Sequence, residues 1–191
     1  MRAPSLHVTF LVTAVLVAPR TAGSQVAQSG YSLPLALASE AATEAIRACE
    51  MQGYAVSASV VDPSGVVKLQ AKGDHSTIHT RDTSFRKAYT VVTLGPIFKF
   101  ETSGRFAELV AKNPFGQALT SIPDILALPG AVAIKRNDEI VAALGVGGAP
   151  GGDKDEACAE AGVARIRSRV MSALPEAGAK RAASALTSPI R

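Results

Sequence analysis

Ala55-Val56-Ser57-Ala58-Ser59-Val60-Val61-Asp62-Pro63-Ser64-Gly65-Val66-Val67-Lys68-Leu69-Gln70-Ala71 is the stretch whose reading decides the fold. Two runs rich in β-branched residues, Ala55 to Val61 and Val66 to Ala71, flank the link Asp62-Pro63-Ser64-Gly65. Proline in its second position and glycine in its fourth suit a type I turn, so the segment predicts a β-hairpin. A second pair of runs, Ala131 to Lys135 and Ile140 to Val146, predicts another hairpin across Arg136-Asn137-Asp138-Glu139. Strands joined by hairpins rather than crossovers build a largely antiparallel sheet.

The segments around the hairpins read as helices. Ser32 stands as N-cap and Pro34 in the first turn; Leu35, Ala38, Ala42, Ile46 and Cys49 then recur at helical spacing until Gly53. After the first hairpin a polar loop, Gly73 to Thr80, leads into a helix over roughly Asp82 to Leu94, capped by Thr80 or Asp82. Its residues Phe85, Ala88, Tyr89 and Val92 share a face, which gives Tyr89 a packing role. A further helix over Thr102 to Lys112 ends at Asn113-Pro114, and Pro114 to Pro129 is loop-rich, with Pro123 and Pro129 as breaks. The glycine-rich segment Gly147 to Gly152 opens a last helix from Asp153 to Met171. The order helix, two strands, helices, two strands, helix predicts an α+β fold: a mainly antiparallel sheet of two hairpins flanked by helices.

The first 24 residues read as a signal peptide. Arg2 supplies the positive start, Leu6 to Ala18 an apolar stretch of 13 residues, and Ala22-Gly23-Ser24 the small residues before a cut at Gln25. A bilayer-spanning helix needs roughly 20 apolar residues, so the stretch is too short to span. Residues 25–174 form a single domain and 175–191, rich in Ala, Ser and Pro, a poorly ordered tail. The expected location is periplasmic or secreted. Without the leader the formal charge falls from +4 to +2, because Arg2 and Arg20 leave and no acid does. That value, without a basic stripe, excludes nucleic acid as a partner.

Two cysteines, Cys49 and Cys158, fall near the end of the first helix and the start of the last. Export permits a disulfide if those helices lie side by side; two separately buried thiols fit the spacing equally. Neither lies in a Cys-x-x-Cys motif, which excludes thioredoxin-like redox chemistry and covalent c-type haem attachment.

Site chemistry concentrates in residues 72–90. Of three histidines, His7 lies in the leader, so His75 and His79 carry whatever imidazole chemistry the domain has. Tyr89 is a third ligand type, and Arg81, Arg86 and Lys87 are cations suited to carboxylates. The same cations alternatively form a solvated helix face. Asp74, His75, His79 and Asp82 would make a metal site only if the loop were helical, which Gly73 and its Ser/Thr neighbours oppose. The glycine loop lacks the Lys-Ser/Thr of a phosphate-binding loop. Asp153, Asp155 and Glu156 would repel an anion there and instead complement the helix dipole. No nucleophile elbow and no His-Glu-x-x-His motif stands in the chain.

Ala88-Tyr89-Thr90 after Arg86-Lys87, the Asp62 to Gly65 turn, and Gly145-Val146-Gly147-Gly148-Ala149-Pro150-Gly151-Gly152-Asp153-Lys154-Asp155-Glu156 resemble the GlcG/HbpS family of haem-binding proteins. The likeness runs from roughly Leu33 to Val170. It implies a compact antiparallel sheet flanked by helices, assembly into homo-oligomers, and haem as cofactor, sensed, scavenged or stored outside the cytoplasm. A related domain occurs in PduO-type corrinoid adenosyltransferases. The resemblance ties the threonine of the Ala-aromatic-Thr stretch, here Thr90, to haem binding, and exported members often carry a His-Thr pair at the position of His79-Thr80. His75 is an addition to that pattern. The residues expected to hold haem are therefore His79, as ligand to the metal, with Thr90, Arg86, Lys87 and Tyr89. The expected function is a binding module rather than an enzyme; the alternative is an accessory protein or enzyme acting on a small 2-hydroxy acid or a corrinoid.

Overall fold

The computed structural model describes residues 29–172, so the expectations for the leader and the tail lie outside the described residues. The elements are α1 (Leu35–Glu50), β1 (Ser57–Val61), β2 (Val67–Lys72), α2 (Thr80–Phe98), α3 (Ser103–Lys112), a short α4 (Gly116–Leu119), β3 (Ala131–Arg136), β4 (Glu139–Gly147) and α5 (Gly152–Ser172). Both expected hairpins form, and β1 pairs with β4 between them, giving an antiparallel sheet of order β2-β1-β4-β3. The α+β architecture is as the strand and helix patterns require.

Side-chain alternation divides the sheet into two unlike faces. Ala58, Val60, Ala142, Leu144 and Val146 pack with Ala38, Ala41, Ala45, Val163 and Ile166 of α1 and α5. Small residues let those two helices and the sheet come close: a Cβ on Gly162 would meet Ala41 O at 2.4 Å. Cys49 and Cys158 are bridged, which settles the open alternative in favour of the disulfide and ties the end of α1 to the start of α5. On the outer surface of the same pair, Glu40 accepts from Arg165 and Arg169. The Arg169 hydrogen bond is the main reason its carboxyl lies below the usual range.

The opposite face is built for contact with α2. Here β1 presents Ser57 and Ser59, and β4 presents Ala143, Gly145 and Gly147. A Cβ on Gly145 would lie 2.1 Å from Ser84 O, so α2 rests on the bare backbone of β4. Phe100 and Phe106, with ring centroids 5.3 Å apart, close the core where α2 hands over to α3.

Several boundaries differ from expectation for local reasons. Pro34, not Ser32, is the N-cap of α1; the Ser32 hydroxyl accepts from Lys68 Nζ instead. The second long helix begins at Thr80 and passes through Pro96 to Phe98 rather than stopping at Leu94. A proline removes only one helical hydrogen bond, and the turn is closed by Lys99 in a left-handed conformation and by Phe100 N–H on Gly95 O. The N-cap is His79, whose side chain makes no capping bond, so neither Thr80 nor Asp82 fills that role.

Candidate functional site

The strand β2 ends at Lys72, and the chain turns at buried Gly73. Its N–H donates to Val56 O at 3.0 Å, and a Cβ there would lie 2.4 Å from the same oxygen. Asp74 and His75 form an exposed turn, with His75 in the left-handed region at φ 62°. The chain then dips into the protein at Ser76, emerges through Thr77, Ile78 and His79, and is buried again at Thr80.

Hydroxyl groups set that path. Ser57 Oγ lies 2.8 Å from Thr80 Oγ1 and 3.2 Å from Ser76 Oγ, all three buried. Thr80 Oγ1 donates to Thr77 O at 2.6 Å, and Ser76 Oγ donates to Gly73 O at 2.9 Å. One turn on, Ser59 Oγ lies 2.7 Å from Ser84 Oγ, and Gln70 Nε2 donates to both Ser59 Oγ and Arg81 O. These partners were missed in the sequence. Their signal was legible: serines at alternate positions of an otherwise apolar strand face hydroxyls four apart on a helix.

His79 is displayed at the top of this ladder. The imidazole is exposed, and Nδ1 lies 3.1 Å from Thr77 Oγ1. The His79 carbonyl accepts from Thr83 N–H at 3.0 Å, which fixes the backbone on the helix side. Ile78 beside it is 86% exposed, an apolar side chain offered to solvent or to a ligand. Arg81 is exposed and paired with Asp82 at 2.9 Å.

The other expected residues lie elsewhere on α2, and the structure does not gather all five around one point. A helix rises about 1.5 Å per residue, which separates His79 and Thr90 by roughly 16 Å along the axis. Thr90 is fully buried; its hydroxyl donates to Arg86 O and accepts from Leu126 N–H. Lys87 corrects the reading of a solvated cationic face: its ammonium is buried, 2.7 Å from Asp155 and 3.1 Å from Val146 O. Arg86 donates to Ile125 O at 3.1 Å and is half-buried. Tyr89 packs as its periodicity required, with its ring 5.6 Å from Phe85 and over the Gly65 turn.

Asp155 and Glu156 likewise do more than complement a helix dipole. Asp155 accepts from Ala149 N–H at 2.9 Å while pairing with Lys87, which rigidifies the glycine loop. Glu156 accepts from Gly104 and Gly130 N–H groups, so it caps α3 from another element. Beside it an open cleft of about 530 Å³ between α3 and α5 is lined by Arg105, Glu108, Asp153, Glu156 and Glu160 among others. Four carboxylates against one guanidinium make it a poor seat for an anion. Among the described residues no three His, Cys, Asp or Glu side chains converge to hold a metal ion, so Asp74, His75, His79 and Asp82 do not form one site.

The family described as "Haem degrading protein HbpS-like" matches residues 33–164. The chain belongs to this HbpS-like family. HbpS of Streptomyces reticuli, solved as a double mutant, is 35% identical over 81% of this chain and 98% of that one, with a TM-score of 0.65. The ORFY protein of Klebsiella pneumoniae shares the HbpS-like fold at 22% identity, covering 81% of this chain and 99% of that one, with a TM-score of 0.64. A PduOC:Heme complex does so at 17% identity over 71% and 96% of the two chains, with a TM-score of 0.62. No curated protein matches the sequence. The resemblance carried by residues 88–90 and 145–156 is thus borne out for family and fold.

Proposed function

We propose that this HbpS-like protein is an exported, homo-oligomeric haem-binding module in which His79 is the ligand to iron. The observation that carries the reading is the exposed His79 imidazole, 3.1 Å from Thr77 Oγ1 at Nδ1 and flanked by exposed Ile78. The donor set fits the group: haem iron accepts imidazole, the macrocycle needs apolar contact, and the Arg81 guanidinium suits a propionate. Bound haem would supply an iron centre able to accept an imidazole nitrogen, and the chain's part would be to present the His79 ring to it. Thr90 and Lys87 enter this reading as parts of the scaffold, since their polar atoms already have partners inside the fold.

Export is supported by the apolar leader and by the Cys49–Cys158 bridge, because disulfides persist in oxidising compartments. A small-acid substrate finds less support, since the cleft between α3 and α5 is lined by carboxylates. Titration of the purified chain with hemin tests the reading. The wild type should develop a shifted Soret band that His79→Ala loses and His75→Ala keeps. An unshifted band in the wild type, or equal binding by His79→Ala, would sink it.

A further inference from the structure

Thr77 is exposed and lies outside every motif, yet its hydroxyl is 3.1 Å from His79 Nδ1. We infer that Thr77 is a positioning residue for His79: its hydroxyl accepts the Nδ1–H, leaving the Nε2 lone pair directed outward as the ligating atom. The inference rests on the haem reading of His79.

Which ring nitrogen carries the proton decides what the imidazole offers a metal. A neutral imidazole has one donor and one acceptor nitrogen, and the hydrogen bond made by one fixes what the other offers. Metal-binding histidines donate their other N–H to an oxygen, which sets both tautomer and ring orientation. In an exposed turn such a bond would normally be transient. Here the backbone on both sides is pinned. Thr77 O receives the hydroxyl of buried Thr80, itself 2.8 Å from Ser57 Oγ in the sheet, and His79 O receives Thr83 N–H. Thr77 Oγ1 therefore approaches Nδ1 from a backbone that is held on both sides of the ring. Among the described residues the Thr77 hydroxyl has no other hydrogen-bond partner, so its lone pairs are open to Nδ1–H.

Thr77→Ala and Thr77→Ser test this in the full-length chain. Long-range ¹H–¹⁵N spectra of the ligand-free protein should show the proton of His79 moving from Nδ1 toward Nε2 in Thr77→Ala and staying in Thr77→Ser. Hemin affinity should fall roughly ten-fold in Thr77→Ala and be restored by Thr77→Ser. An unchanged tautomer in Thr77→Ala, with hemin binding still lost in His79→Ala, overturns the role of Thr77 and leaves the haem reading standing. Wild-type binding by His79→Ala overturns both. The thermal midpoint of each variant, expected to match the wild type because Thr77 is exposed, separates positioning from loss of fold.

Discussion

Lys87 and Asp155 show what one buried pair does in this domain. Their side chains are 4% and 3% exposed, the charged atoms are 2.7 Å apart, and the remaining hydrogen bonds go to Val146 O and Ala149 N–H. Desolvating two ions is costly, so the pair itself adds little; removing one partner strands the other, at about 3–5 kcal/mol. Lys87→Met should therefore lower stability by that order in urea unfolding. The double change Lys87→Met with Asp155→Leu should recover most of the loss, and a double variant no better than the single one would refute the account. The sequence showed Lys87 as a cation on a helix and Asp155 as an acid at a helix start. That they meet depends on α2 crossing the mouth of the β4–α5 loop, 68 residues away in the chain, which no local pattern reports.

At the scale of elements, the packing of α2 on the sheet rests on residues without side chains. Gly145 lies under Ser84 O and Ala88 N, where a Cβ would be at 2.1 and 2.9 Å, and Gly147 lies under Thr83 Oγ1 at 2.4 Å. Gly145→Ala must lift α2 from β4, and overpacking of this kind costs about 1–3 kcal/mol. The thermal midpoint should drop accordingly, and hemin binding should weaken with it because His79 caps α2, whose Thr80 and Ser84 bond to the serines of β1. A variant with unchanged midpoint would show that the helix rests on other contacts. The hairpins, the helical periodicity of α1 and the spans of α3 and α5 were legible because each is set by residues within a few positions. The ends of α2 were not, since its start is decided by Thr80 bonding to Ser57 in another strand and its finish by Phe100 anchoring in the core.

For the whole molecule the disulfide is the longest covalent constraint, closing a separation of 109 residues between α1 and α5. In the chain-entropy picture a loop near that length contributes about 4–5 kcal/mol by restricting the unfolded chain. Cys49→Ala with Cys158→Ala should lose a large part of that in denaturant unfolding. Thiol titration of the native, non-reduced wild type should find no free thiol. Titratable thiols before unfolding would contradict the bridge.

The sequence by itself determined the α+β class, the two hairpins, the run 72–90 as the seat of imidazole chemistry, and the family. All of these follow from periodicity, turn chemistry, residue scarcity and short motifs, which are local properties of the chain. Only the tertiary structure decided that Cys49 and Cys158 meet, that Lys87 and Thr90 face inward, and that His79 alone among the expected haem residues stands exposed with Ile78 beside it. Exposure and pairing belong to surfaces brought together across the chain. Here the Ser and Gly face of one sheet draws α2 down, burying its middle and leaving the turn before it in the open.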